Sequence, residues 1–236
     1  MGSDGASRAR GRQTRVTDSF RLGEDGIYRC DAFQEFIWQS HGFGTRFANP
    51  SADVTLRQIH SAQVHNAQGL ADRANQGDGL ATGETSLKIG VRTADCVPIL
   101  LLDTRQRAVA AVHAGWRGTA AAISQRAVAS MNDWFGSKPA DVCAAIGPSI
   151  RVCCYEVGAE VATALAPFFP EWPAVTDKRH LDLAEANRRQ LKAAGLRASH
   201  ISDSGLCTAC LPEQFFSFRR EPSNPGRMLS AICRLA

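Results

Sequence analysis

The chain has 236 residues, 44% of them hydrophobic, 21% charged and 7% aromatic, with a formal net charge of +4. A domain of this size buries roughly 70–75% of the surface its unfolded chain exposes, which excludes a disordered chain and a small scaffold that needs staples to fold. Apolar runs such as Val97–Leu102 fall far short of the ~20 residues that cross a bilayer, so no membrane span is expected.

Residues 1–18 carry Arg8, Arg10, Arg12 and Arg15 without an apolar stretch. This describes a flexible, solvated arm rather than a secretory leader or a nucleic-acid tail, ahead of a single domain over 19–236. Ala32–Ser40 has the composition of a strand, and Gly42 to Arg46 that of a glycine-punctuated turn. Val54–Val64 is expected to be a strand carrying His60, followed by a turn at Gly77-Asp78-Gly79. The densest strand signal comes next, in Leu87–Arg92, Val97–Leu102 and Ala108–Val112. Gly115–Gly118 leads into a helix in which Ile123, Ala127, Met131 and Phe135 recur every four residues. Val128 and Trp134 widen its stripe and Gly136 ends it. Val142–Ile146 reads as a strand closed by Gly147-Pro148, and Glu156–Leu165 as a helix. Asp182, with Glu185 three residues on, caps a helix whose Leu183, Asn187, Leu191 and Ala194 share a face until Gly195 stops it. Ser199–Ser202 and Met228–Leu235 are closing strands. Strands first and helices later, without a βαβ rhythm, indicate an α+β domain rather than a doubly wound sheet.

Eight cysteines, two of them adjacent, fit reduced thiols in the cytoplasm better than a disulfide framework. Cys207-Thr-Ala-Cys210 has redox or zinc-knuckle spacing, but one pair without a second does not predict a closed zinc site. Cys153-Cys154-Tyr155-Glu156 packs in the core or lines a pocket. Three stretches place reactive residues where an apolar strand ends: Gln58-Ile-His60-Ser61, Thr93-Ala-Asp95-Cys96 and Val112-His113-Ala-Gly115-Trp116-Arg117-Gly118. His60, Cys96 and His113 supply two imidazoles and a thiol, a set suited to zinc with the fourth tetrahedral position open. The same residues could instead make Cys96 a nucleophile and His113 its base, and spacing does not choose between the two. Arg46, Arg117, Arg219 and Arg220 sit beside glycines or aromatics, where guanidinium groups can fork onto an anion such as phosphate. Asp78 and Asp95 shape turns or orient ligands, and Asp78 joins Arg46, Arg219 and Arg220 as a substrate-site candidate.

Several motifs follow one another in a telling order. They are His41-Gly-Phe-Gly-Thr-Arg46, Gln58-Ile-His-Ser-Ala62, Gly77-Asp-Gly-Leu-Ala-Thr82, Thr93-Ala-Asp-Cys-Val-Pro98 and Ala111-Val-His-Ala-Gly-Trp-Arg-Gly118. Ile146-Gly-Pro148, Cys154-Tyr-Glu-Val-Gly158 and Phe216-Ser-Phe-Arg-Arg-Glu221 complete the series. Together they closely resemble the purine nucleoside phosphorylase family formerly labelled multicopper polyphenol oxidase, or laccase-domain proteins, some of whose bacterial members are called peptidoglycan editing factors. The resemblance implies a single α+β catalytic domain, a mixed β-sheet flanked by helices, of the cysteine-hydrolase type found in cytotoxic necrotizing factor. It implies zinc on His60, Cys96 and His113, phosphorolysis of adenosine, inosine, guanosine and methylthioadenosine, and deamination of adenosine. The partners expected are then purine nucleosides and phosphate, not nucleic acid or membrane, with Arg46 and Arg219 or Arg220 holding the phosphate. Gly44 and Phe218 depart from the family pattern, which usually has Ser or Thr at the first and Tyr at the second. The resemblance also permits a cytoplasmic amide hydrolase that edits cell-wall precursors. A copper polyphenol oxidase fits less well, because none of the six histidines forms a His-x-His pair, although copper outcompetes zinc at a single site.

Overall fold

Along the run Val97–Asp103, Ile99 and Leu101 face one way and Leu100 and Leu102 the other, and all four are fully buried. Successive strand side chains point to opposite faces, so both faces of this sheet are covered, and the run is apolar throughout instead of alternating. The computed structural model describes residues 19–171, 179–223 and 226–236; the arginines of the N-terminal arm lie outside them. In chain order the elements are β1 (Phe20–Leu22), β2 (Tyr28–Cys30), α1 (Asp31–Gln34), β3 (Gln39–Phe43), β4 (Val64–Asn66), β5 (Gly79–Thr82), β6 (Lys88–Thr93), β7 (Val97–Asp103) and β8 (Val109–Ala114). There follow α2 (Trp116–Ala120), α3 (Ile123–Phe135), β9 (Val142–Ile146), β10 (Glu156–Val157), α4 (Ala159–Leu165), β11 (Arg179–His180), α5 (Leu183–Ala193), β12 (Ile201–Asp203) and β13 (Met228–Arg234).

A six-stranded sheet has the order β12-β9-β7-β8-β5-β4; β12 with β9 and β4 with β5 run parallel, the other neighbours antiparallel. One face packs on the helices, where Ile99, Leu101, Ala110 and Val112 meet Ile123, Ala127 and Met131 of α3 and Leu183 and Leu191 of α5. The other face packs on a five-stranded antiparallel sheet, β1-β2-β3-β13-β6, where Leu100, Leu102, Val109 and Ala111 meet Phe33, Phe43, Ile89 and Ile232. Each large aliphatic side chain buried this way stabilises the fold by about 1.5–3 kcal/mol. The single domain is α+β, as the element order indicates, but helices cover only one face of the central sheet and a second sheet covers the other.

Several local expectations are corrected. Over Ala32–Ser40 the chain forms the end of the short α1 and only the start of β3, and β3 continues through Gly42, where a turn was expected. Val54–Val64 is no strand; it touches its neighbours through the isolated bridges Val54↔Ile89 and Arg57↔Gln76, and β4 begins at Val64. Glu156–Leu165 divides into β10 and α4, and Trp134 stands 40% exposed outside the stripe of α3. The strands over 88–114, β9, β12, β13 and the two main helices lie where the sequence places them. Gly136 and Gly195 take the left-handed values that end α3 and α5 (φ 70° and 101°), and the Asp182 carboxylate accepts the Glu185 amide at 2.9 Å.

The helix layer is pinned by buried amides. Asn187 donates to Thr119 Oγ1 (2.9 Å) and accepts from Ser124 Oγ (2.7 Å), while Gln190 donates to the Thr119 carbonyl (2.7 Å). These bonds fix α2, whose first residues reach the site described below.

In the outer sheet, buried His41 accepts the Cys30 amide on Nε2 (2.9 Å) and donates from Nδ1 to Gln39 Oε1 (3.0 Å), so both nitrogens are used by the neutral ring. Burial, helped by the Arg29 charge, holds its pKa down at about 4. The folded state therefore resists protonation that the unfolded chain accepts from about pH 6.5 downward, and stability is lost as pH falls from there toward 4. Denaturant titrations at pH 7 and pH 4 are expected to show wild type losing about 3 kcal/mol more than His41→Gln over that interval.

Candidate active site

Asp78, just ahead of β5, is fully buried and acts as an anchor. Its carboxylate accepts the backbone amides of Ile59 (3.3 Å), His60 (3.0 Å) and Ser61 (2.5 Å), the Ser61 hydroxyl (2.7 Å) and Nδ1–H of His113 (2.8 Å). Burial works against its charge, but the bonds from His113 and Ser61 prevail and hold its pKa below the usual carboxylate value. The wrapped amides explain why Val54–Val64 is not a strand: they bond to a side chain rather than to a neighbouring ladder. His60 is bent to φ 58°, a left-handed conformation that costs roughly 1–2 kcal/mol without glycine.

His113 is the penultimate residue of β8, opposite Pro98 of β7, and Cys96 sits immediately before β7. The donor atoms of His60, Cys96 and His113 lie within 4.8 Å of one another, and the two imidazoles meet edge to face with centroids 4.8 Å apart. Because His113 donates from Nδ1 to Asp78, its Nε2 is left to face Cys96. Burial disfavours both charges, yet the Cys96 sulfur and the Asp78 carboxylate raise the His113 pKa to about 9. Against the same burial, His113 and His60 lower that of the Cys96 thiol to about 6. Gly115 closes the space, since a Cβ there would stand 2.7 Å from His60 Nδ1 and 3.1 Å from Cys96 Sγ. Two imidazoles and an ionisable thiol, converging with one side open, fit a tetrahedral borderline-soft divalent metal.

A second carboxylate holds the facing loop. Asp95 (φ 89°) accepts the hydroxyls of Thr208 (2.6 Å) and Ser217 (3.0 Å) and the Arg219 amide (2.7 Å). Asp95 and Asp78 therefore tie down segments distant in sequence around the same three side chains.

Above these residues opens a cavity of about 900 Å³ with Trp116, Tyr155 and Phe218 on its walls. Arg73, Arg92, Arg117, Arg219 and Arg227 also line it. Arg117 stacks on Trp116 (4.3 Å), and Arg219 lies over Tyr155 (5.6 Å) and donates to the Glu156 carbonyl (3.0 Å). Arg46 and Arg220 lie outside the cavity lining. Arg46 covers Phe216 and donates to the Pro212 carbonyl; Arg220 spends its donors on the carbonyls of Thr208 (2.8 Å), Ala209 (3.1 Å) and Phe215 (2.7 Å). Asp78, with its oxygens occupied by protein donors, is also set back from the cavity. Arg73, Arg92 and Arg227 escaped the sequence reading; of these only Arg92 carried a usable signal, at a strand end just before Thr93-Ala-Asp95-Cys96. At Gly44 a Cβ would collide with the Asn49 side-chain oxygen, which accepts the Leu229 amide (2.6 Å), so the Asn49 side chain occupies the space that a larger residue here would need. Phe218, 52% exposed, presents a bare ring to the cavity.

The family described as multi-copper polyphenol oxidoreductase laccase matches residues 26–235. A purine nucleoside phosphorylase of Bacteroides thetaiotaomicron is 41% identical over 161 residues, covering 66% of this chain and 60% of that protein. The adenosine deaminase RL5, from an unknown prokaryotic organism, is 43% identical over 164 residues, covering 66% of this chain and 62% of its own. The aligned regions thus span about three fifths of these two curated relatives. The crystal structure of YlmD from Geobacillus stearothermophilus superposes with a TM-score of 0.82 at 32% identity, over 93% of this chain and all of that one.

Asp78→Asn replaces an acceptor oxygen by an amide that faces donors. It is expected to weaken divalent-metal binding about 10–100-fold, read by competition with a chromophoric chelator, and unchanged affinity would remove Asp78 as the group that orients His113.

Proposed function

The chain belongs to the family described as multi-copper polyphenol oxidoreductase laccase. From that membership we propose that it is a zinc-dependent purine nucleoside enzyme, which phosphorolyses adenosine, inosine, guanosine and methylthioadenosine and deaminates adenosine. One observation carries this reading: a two-imidazole, one-thiol group lies beneath a cavity whose walls combine aromatic rings with arginines. A purine is flat and apolar on its faces, suited to Trp116, Tyr155 and Phe218; phosphate is anionic and suited to guanidinium groups.

His60, Cys96 and His113 would hold the metal, and a bound zinc would supply a Lewis acid able to acidify water. Asp78 keeps the His113 proton on Nδ1, so that Nε2 remains a donor atom. In phosphorolysis a phosphate oxygen bonds to the sugar C1′ as the bond from C1′ to the purine nitrogen breaks. Arg219, steadied by the Glu156 carbonyl and Tyr155, is placed to hold that phosphate, with Arg92 and Arg117 on the same walls. We assign the protein to the cytoplasm, where its eight free thiols stay reduced, and read residues 19–236 as one catalytic domain of the cysteine-hydrolase type with 1–18 as an arm. No helix among the described residues is long and apolar enough to cross a membrane.

The family's oxidase description finds little support in the ligands. Among the described residues only one candidate metal group contains histidine, where a multicopper cluster needs several imidazoles. Copper at that one site would be a substitute in vitro. A second reading has a specific observation in its favour: Asp78, His113 and Cys96 form a carboxylate–imidazole–thiol line, as in a cysteine hydrolase acting on cell-wall precursors.

Adenosine incubated with zinc-loaded protein is expected to give adenine and ribose-1-phosphate only when phosphate is present, and inosine with or without it. Cys96→Ala should give neither. Silence of wild type in every incubation, read by chromatography, would turn the assignment to the amide hydrolase. Arg219→Ala is expected to raise the KM for phosphate more than that for nucleoside. Arg220→Ala, which strands three carbonyls, should instead lower stability by about 1–3 kcal/mol in a denaturant titration.

A further inference from the structure

Four cysteines take no part in this site and meet elsewhere. Cys153 and Cys154 follow β9, Cys207 and Cys210 follow β12, and their sulfurs lie within 4.8 Å of one another. Cys210 Sγ stands 3.5 Å from Cys153 Sγ and 3.3 Å from Cys154 Sγ, and all four are free thiols. The second pair that Cys207-Thr-Ala-Cys210 lacks in the local sequence is therefore supplied by Cys153-Cys154.

We propose that these four cysteines form a second metal site, a closed zinc tetrathiolate that staples the loop after β9 to the loop after β12. A tetrahedron with zinc–sulfur bonds of about 2.3 Å sets its sulfurs about 3.8 Å apart, a spacing the observed distances bracket. Core packing does not account for the cluster. Buried thiols pack as small hydrophobes, but here Cys153 and Cys210 are exposed, Cys154 is half-buried and only Cys207 is buried. The backbone holds the two loops side by side: Ser149 donates its amide to the Leu206 carbonyl (3.2 Å), and Thr208 donates to the Ser149 carbonyl (3.0 Å). Arg151, two residues before Cys153, pairs with Asp203 at the end of β12 at 2.7 Å and ties the two segments together. Four thiolates in a tetrahedron suit zinc and leave no open position, so the site is structural.

The staple reaches the first site through short links. Thr208, inside the Cys207–Cys210 knuckle, donates to Asp95, the neighbour of Cys96 (2.6 Å). Arg219, on the cavity wall, donates to the Cys154 carbonyl (3.4 Å).

Zinc counted by elemental mass spectrometry, in protein purified without chelator, tests the proposal. Wild type is expected to carry two equivalents per chain, Cys96→Ala one and Cys210→Ser one. The staple is read from the equivalent lost on Cys210→Ser, whatever the first site holds; a zinc content equal to wild type overturns it. Iron with acid-labile sulfide in place of zinc also overturns it, as does a pair of thiols missing from a titration of the denatured, unreduced protein. Cobalt gives a readout with all four cysteines intact. Cobalt-loaded Cys96→Ala is expected to show the visible bands of tetrahedral cobalt with strong thiolate charge transfer, and their absence overturns the proposal.

Discussion

A carboxylate with no access to water holds the candidate site together. Asp78 cannot shed its charge into solvent, so its stability depends on the donors gathered around it: three consecutive amides, a hydroxyl and an imidazole. Hydrogen bonds to a charged group contribute about 1.5–3 kcal/mol each, against about 1 for a neutral pair. That surplus offsets the left-handed turn at His60 and sets both the position of one candidate ligand and the tautomer of another. Asp95 repeats the device for the opposite loop, also from a left-handed backbone. Strain at both places is confined to residues beside the cavity, where a firmly bonded scaffold over-determines it.

The layers explain why those carboxylates can be buried at all. The central sheet is covered on one face by helices and on the other by a second sheet, so the ends of β7 and β8 open into a region shielded from both sides. β8 delivers His113 and Cys96 precedes β7. Thr119 and Asn187 hold α2 in place, so that Trp116 and Arg117 reach the cavity wall. Small residues matter where groups converge. Gly118 approaches the Ser61 carbonyl, which a Cβ would meet at 2.7 Å, just as Gly115 leaves room for the candidate ligands.

Local signals were the legible ones. The apolar runs of β6, β7, β8 and β9, the four-residue stripe of α3, the Asp182 cap and the glycines ending α3 and α5 depend on neighbours in sequence. What escaped depends on distant partners. Val54–Val64 has the composition of a strand, but Asp78 takes the amides of Ile59, His60 and Ser61. Arg219 and Arg220 are adjacent, yet a turn sends one guanidinium to the cavity and the other inward to loop carbonyls. His60, Cys96 and His113 stood out through strand ends and family motifs, while their convergence is invisible in their spacing. Cys153 and Cys154 gave no hint of Cys207 and Cys210 because the two loops are brought together by the parallel pairing of β12 with β9 and its continuation at Ser149 and Cys207, which sequence spacing does not show.

The place of β13 bears on the order in which the molecule can assemble. It lies between β3 and β6, which make no ladder with each other, and it contributes Met228 and Ile232 to the inter-sheet core. On a translating ribosome β3 and β6 emerge long before it and have an unfilled slot between them. Two unpaired strand edges and an open apolar face persist until β13 arrives. The outer sheet therefore closes only after synthesis has passed β13, and a transcript truncated ahead of that strand yields a chain prone to pair with its own copies rather than one with a partly working cavity.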